Sequence, residues 1–222
     1  MDGAPLILKP HEPVAERVLL PGDPGRALRL AQQLIDGPRM LNHHRGLWGY
    51  SGPAADGAPL TIQSTGLGGP SAAAVVAELV GLGARRLVRV GTAAGLGTTA
   101  LGAVVAVEAA LAGDGTSRAL GAGERVEADP ALTAALAAAG GARRGRVASG
   151  DVHDARTAEE WARRGALAAD LATAAILTAA ARLGAAGAAV VVVTRTGGRR
   201  LADAELEAAE TTLGRIAAAA LG

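Results

Sequence analysis

The chain has 222 residues, half of them hydrophobic, with no Cys, no Phe, one Tyr and two Trp, and its 22 basic and 21 acidic residues leave a formal net charge of +1. That balance gives no basic face for nucleic acid or an anionic membrane, and the lack of cysteine excludes disulfides and thiolate metal centres. The length suffices for one large core, which Ala, Val, Leu and Ile must fill.

The N-terminal stretch has no basic region followed by an apolar one, so no secretory signal is expected. The longest strongly apolar run, residues 185–193, is too short to cross a bilayer. The expectation is a cytoplasmic, soluble chain.

Residues 17–21 (RVLLP) read as a strand. The turn that follows, Pro21-Gly22-Asp23-Pro24-Gly25-Arg26, opens a helix over 25–34. Glycine lets backbone N–H groups approach an anion, a helix start offers unpaired N–H groups, and Arg26 adds a planar cationic fork. The same residues also suit an ordinary turn with Arg26 in solvent. Asn42-His43-His44-Arg45-Gly46 comes next. Its adjacent histidines diverge on any regular element and no carboxylate cluster joins them, so a surface turn is expected and no metal site. A strand at 60–64 runs into the Gly-rich loop Ser64-Thr65-Gly66-Leu67-Gly68-Gly69-Pro70-Ser71 and a helix over 71–82.

The strand at 87–91 carries an arginine, Arg89, just before Gly91-Thr92. A cation inside a buried strand needs a partner, or the fold loses several kcal/mol. A carboxylate or a bound phosphate would serve equally, with the Thr92 hydroxyl donating to the latter. Further strands are expected at 104–108, 146–149 and 188–194, and helices at 130–139, 157–164, 170–183 and 202–221, the first of these capped by Asp129 with Pro130 in its first turn. Strand and helix alternate throughout, no linker divides the chain and no repeat recurs. The prediction is an α/β protein, a single-domain layered α/β/α fold over residues 1–222 around a central mixed sheet, with ligands at the carboxyl ends of the strands.

In order and wording, PGDPGRA, HHRG, STGLGGPSAAAVVAELVGLGARRLVRVGTAAG and AEEWARRGALAADLATAAILTAAARLGAAGAAVVVVTRTGG resemble the trimeric and hexameric nucleoside phosphorylase family, over about residues 14–220. The resemblance is closest to uridine phosphorylases and bacterial hexameric purine nucleoside phosphorylases, with Thr194-Arg195-Thr196 leaning to the former. It implies phosphorolysis, in which inorganic phosphate as co-substrate attacks C1′ of a nucleoside to give pentose 1-phosphate and free base, with no other cofactor. It implies a phosphate pocket of Gly22, Arg26, Arg89 and Thr92, completed by Arg45 from a neighbouring subunit, hence a homo-oligomer with a dimer as smallest unit, usually a hexamer. Asp170, Leu171 and Thr92 fall at the sugar, His153, Thr194 and Arg195 at the base, and Asp170 and Arg195 are the candidate catalytic residues.

The sequence departs from the family where the sugar and base would lie. The family's Glu-Met-Glu segment is here Asp170-Leu171-Ala172, so Ala172 stands at the ribose carboxylate. Asp170 could replace it only from an extended segment. Leu6 stands at the family's N-terminal histidine, Ala94 at a glycine and His153 at an aromatic stacker, and the insertion that reads a pyrimidine ring is missing. Two alternatives accompany phosphorolysis: a weak or inactive homologue that binds phosphate or a phosphorylated ligand, and a hydrolytic nucleosidase.

Overall fold

In this computed structural model, residues 5–222 are described; residues 1–4, part of the stretch read for a secretory signal, lie outside them. The chain runs β1 (Arg17–Pro21), α1 (Pro24–Leu34), β2 (Arg39–Asn42), β3 (Gly49–Pro53), β4 (Pro59–Gln63), α2 (Gly68–Gly81), β5 (Arg86–Gly95), β6 (Val104–Ala112), α3 (Gly115–Ala119), β7 (Arg125–Glu127), α4 (Pro130–Gly140), β8 (Arg143–Ser149), α5 (Ala155–Arg163), β9 (Ala166–Asp170), α6 (Thr173–Arg182), β10 (Ala186–Thr196), β11 (Arg199–Arg200) and α7 (Asp203–Leu221).

All strands join one mixed sheet. β5 is its hub, parallel to β1 and β10 and antiparallel to β9 at its end. Because β10 also pairs with β6, β6 with β8 and β8 with β9, the five strands β5, β10, β6, β8 and β9 close into a ring. From β5 the sheet continues outward through β1, β4, β3 and β2.

Strands covered on both faces need apolar residues at successive positions. In β10, Ala188, Val190 and Val192 pack into one core with α1, α4 and α7, while Ala189, Val191 and Val193 pack into another beneath α6. A third core joins β1 to α2 and α6. The result is the α/β/α layering expected, with a central mixed sheet. No helix among the described residues is long and apolar enough to cross a membrane.

The helix starts follow their caps. Asp23 Oδ1 accepts the Arg26 N–H at 2.7 Å and Asp129 Oδ1 accepts that of Leu132 at 2.9 Å, each such cap contributing about 1 kcal/mol. At the other end of the chain, Arg86 Nη1 donates to the Leu221 carbonyl at 2.8 Å, giving the last turn of α7 a cationic partner.

One predicted helix begins in the wrong place. Residues 166–170 form β9, and α6 starts only at Thr173, where a helix was expected from 170. The Ala-rich segment favours a helix locally. Hydrogen bonding to β8 on one side and β5 on the other overrides that preference. Asp170 is therefore extended, and Ala172 is the last residue before the helix, with φ −146°.

Candidate functional site

A cavity of about 530 Å³ opens at the carboxyl ends of β1, β5, β9 and β10. Its floor is made by three loops, each leading from a strand into a helix. Gly22 and Arg26 come from the β1–α1 turn, Gly66 and Gly68 from the β4–α2 loop, and Leu171 and Ala172 from the β9–α6 turn. Arg89 and Thr92 project from β5, Thr194 and Arg195 from the end of β10, and His153 from the loop after β8. The loop glycines are a conformational necessity at two points: Gly66 and Gly68 have φ of +72° and +81°, which side chains rarely adopt.

Arg26 does not lie in solvent. It is 8% exposed, its Nη2 is 2.6 Å from Glu210 Oε1 on α7 and its Nη1 donates to the Val90 carbonyl at 3.3 Å. Its Nε is buried without a partner. Glu210 is itself 3% exposed and its other oxygen, Oε2, accepts from Arg29 Nη2 at 2.5 Å.

Arg89 has the carboxylate partner that its buried strand demanded. Its Nε and Nη2 donate to Asp170 Oδ2 at 3.0 and 2.8 Å, and Nε also to Thr173 Oγ1 at 3.0 Å. Asp170 Oδ2 further accepts from the Thr173 hydroxyl at 2.6 Å. Oδ1 accepts from the Ser149 hydroxyl at 2.6 Å and from the N–H groups of Ala172 and Thr173, both at 3.2 Å. Burial pushes the Asp170 carboxyl up, but Arg89 and the donors from Ser149 and Thr173 outweigh it and hold the group below the usual carboxylate range.

With three donors on each oxygen, Asp170 has no lone pair left for a sugar hydroxyl. The extended backbone that would have let it replace the ribose acid is present, yet the side chain is turned onto Arg89. Asp170 is thus the carboxylate that fixes Arg89.

His153 sits exposed at the cavity mouth. Partial desolvation and the Arg195 charge lower its pKa, while Asp170 pulls the other way. The imidazole is thus neutral at pH 7 and offers one donor and one acceptor to a ligand.

Every site residue read from the sequence lines this cavity except Arg45. Arg45 lies in a short 3-10 turn, His44–Gly46, exposed and not among the residues that line the cavity. It is the one non-glycine residue with positive φ among those described, at +59°, a conformation that costs about 1–3 kcal/mol and gathers at functional positions. The histidines beside it make local contacts: His44 Nδ1 lies 2.9 Å from the Ile7 carbonyl, and the rings of His11 and His43 stack with centroids 5.5 Å apart. Among the described residues no group of three or more His, Cys, Asp or Glu is placed to hold a metal ion.

Sequence reasoning missed Glu210, Ser149 and Thr173. For Glu210 a signal existed. It falls on the stripe of Leu213, Gly214 and Ala217 that α7 buries, where a carboxylate needs a cationic partner.

A layered α/β protein with its pocket at the strand ends is the class that fold and cavity define. The sequence matches the phosphorylase superfamily over residues 16–222. The chain belongs to the nucleoside phosphorylase family. It is 32% identical over 192 residues to a DeoD-type purine nucleoside phosphorylase of Geobacillus kaustophilus, covering 82% of this chain and 81% of that one. It is 40% identical over 106 residues to a uridine phosphorylase of Treponema pallidum, covering 47% of this chain and 40% of the relative. With a DeoD-type purine nucleoside phosphorylase of an Exiguobacterium species the identity is 43% over 84 residues, 37% of this chain and 35% of the relative. The chain thus spans less than half the length of these last two relatives.

Proposed function

We propose that the chain binds inorganic phosphate against Arg26 and Arg89 and uses it to cleave the N-glycosidic bond of a nucleoside or nucleoside-like substrate. The observation that carries this reading is the convergence of two buried arginines, Thr92 and the Gly22 backbone on one cavity. In the reaction a phosphate oxygen forms a bond to C1′ as the bond from C1′ to the base nitrogen breaks. The base departs with the electron pair and takes up a proton. Cationic forks orient the nucleophile beneath the anomeric carbon, and little else is required of the protein.

The roles follow the cavity wall. The Gly22 N–H, Arg26, Arg89 and Thr92 hold phosphate, Leu171, Ala172 and Thr92 border the sugar, and His153, Thr194 and Arg195 face the base. Asp170 keeps Arg89 in place. Phosphate-dependent release of free base from a nucleoside panel tests the reading. Phosphate-independent release would make the protein a nucleosidase, and silence with phosphate bound would make it a binding protein. Arg26→Ala lowers phosphate affinity by about 1.5–3 kcal/mol, the worth of a charge-assisted hydrogen bond. Calorimetric titration giving the wild-type affinity would contradict the assignment.

Arg45 belongs, in this proposal, to the anion site of a second copy, in a dimer that assembles further into a hexamer. What supports it is a strained, exposed arginine with no ion-pair partner among the described residues. Sedimentation at micromolar concentration gives a dimer or larger species, and Arg45→Ala weakens phosphate binding without dissociating it. A monomer would rule the proposal out.

A further inference from the structure

Arg26 reaches the cavity from the first turn of α1, yet its guanidinium is held from behind by the C-terminal helix. Two of its three nitrogens are engaged: Nη2 with Glu210 Oε1 at 2.6 Å and Nη1 with the Val90 carbonyl on β5 at 3.3 Å. Nε alone has no partner and is shut off from solvent, in a residue 8% exposed. An arginine has four rotatable bonds and finds such a position only when something outside its own helix fixes it. The Val90 carbonyl is a weak anchor at that distance. The strong one is the carboxylate.

Glu210 can anchor because it is itself immobile. α7 is buried through Leu213, Ile216 and Ala217, which share a core with Leu30 and Ala31 of α1. Its second oxygen is occupied by Arg29, one turn along α1 from Arg26. One carboxylate therefore bridges two arginines of the same helix and sets the rotation of the α1 face that meets the cavity.

We propose that Glu210 is a positioning residue for the anion site, holding the Arg26 guanidinium at the cavity wall where phosphate would bind. This rests on the reading of the cavity as a phosphate site. It gives the C-terminal helix a role in ligand binding that its distance from the substrate would not suggest. A purely structural Glu210 would tie α7 to α1 and change stability while leaving phosphate affinity alone, so affinity separates the two.

The test is calorimetric titration of the full chain with inorganic phosphate, alongside the Michaelis constants for phosphate and for nucleoside. Glu210→Ala weakens phosphate binding by about tenfold or more and raises the phosphate constant, leaving that of the nucleoside within about twofold. In an Arg26→Ala background the same substitution has no further effect on phosphate, because it acts through Arg26. Glu210→Gln, which keeps the shape and one acceptor, recovers part of the affinity and covers the case in which the alanine variant fails to fold. Folded Glu210 variants with wild-type affinity, or losses that add to that of Arg26→Ala, would overturn the proposal and leave the phosphate site standing. Failure of the wild-type chain to bind phosphate would overturn both.

Discussion

Asp170→Ala lowers the free energy of unfolding by about 3–5 kcal/mol, the penalty for leaving one partner of a buried ion pair alone. Arg89 is 6% exposed and Asp170 2%, and the carboxylate is the only charged partner that Arg89 has among the described residues. The substitution also strips acceptors from the Ser149 and Thr173 hydroxyls and from the two N–H groups that open α6. Denaturation in urea measures the effect. A loss below about 1 kcal/mol would mean that Arg89 is satisfied from the cavity side by water or an ion. The pH dependence has a defined sign. The folded carboxyl titrates below its unfolded value, so the stabilisation is fully present above the ordinary Asp pKa of about 4. It is lost as pH falls through the lower folded value. Asp170→Asn, which cannot ionise, removes that part of the acid sensitivity.

In the proposed reaction ordinary ribonucleosides are expected to be poor substrates, and Ala172→Glu to improve them. Ala172 is 3% exposed and borders the cavity where the sugar would lie. Its methyl group offers nothing to the 2′ and 3′ hydroxyls, and Asp170 has no acceptor to spare. Each missing charge-assisted hydrogen bond is worth about 1.5–3 kcal/mol, or roughly ten- to hundredfold in transition-state binding. Base release from uridine, inosine and adenosine is accordingly weak or absent in the wild type. The introduced glutamate raises kcat/KM for a ribonucleoside by about tenfold or more over its effect on the matching 2′-deoxynucleoside, which offers only one of the two hydroxyls. Robust turnover of uridine or inosine by the wild type would show that another group holds the sugar.

What the sequence disclosed depended on how strongly each segment spoke for one structure. β1, with Val18 and two leucines between an arginine and a proline, has the expected bounds, and Asp129-Pro130 starts α4 where a cap and a first-turn proline belong. The hairpin of β2 and β3 escaped notice because RMLN and GYSGP contain no β-branched residue, and its strands are specified by pairing to β4 instead. The alanines of β9 say nothing locally, since the same run fits a helix, and only neighbouring strands decide it. At the site, arginines after strands stood out because charge is costly there. Their partners did not, since Glu210 and Asp170 meet them only through tertiary contacts between segments remote in the chain.

The ring of strands also determines where this sheet could be extended by another chain. Closing β5 through β10, β6, β8 and β9 removes the edges that those strands would otherwise expose. The edges that remain are short: two residues in β11, both arginine, three in β7 with Arg125 and Glu127 at its ends, and four in β2. Beside β2 the outer edge is already engaged, His11 N–H donating to the Leu41 carbonyl at 2.8 Å and Lys9 N–H to the Asn42 side-chain Oδ1 at 2.9 Å. Charged, brief or covered edges resist the addition of a strand. A β-sheet running continuously from one molecule into the next is therefore disfavoured, and the assembly proposed above would have to join side chains on helices and turns, such as the one carrying Arg45.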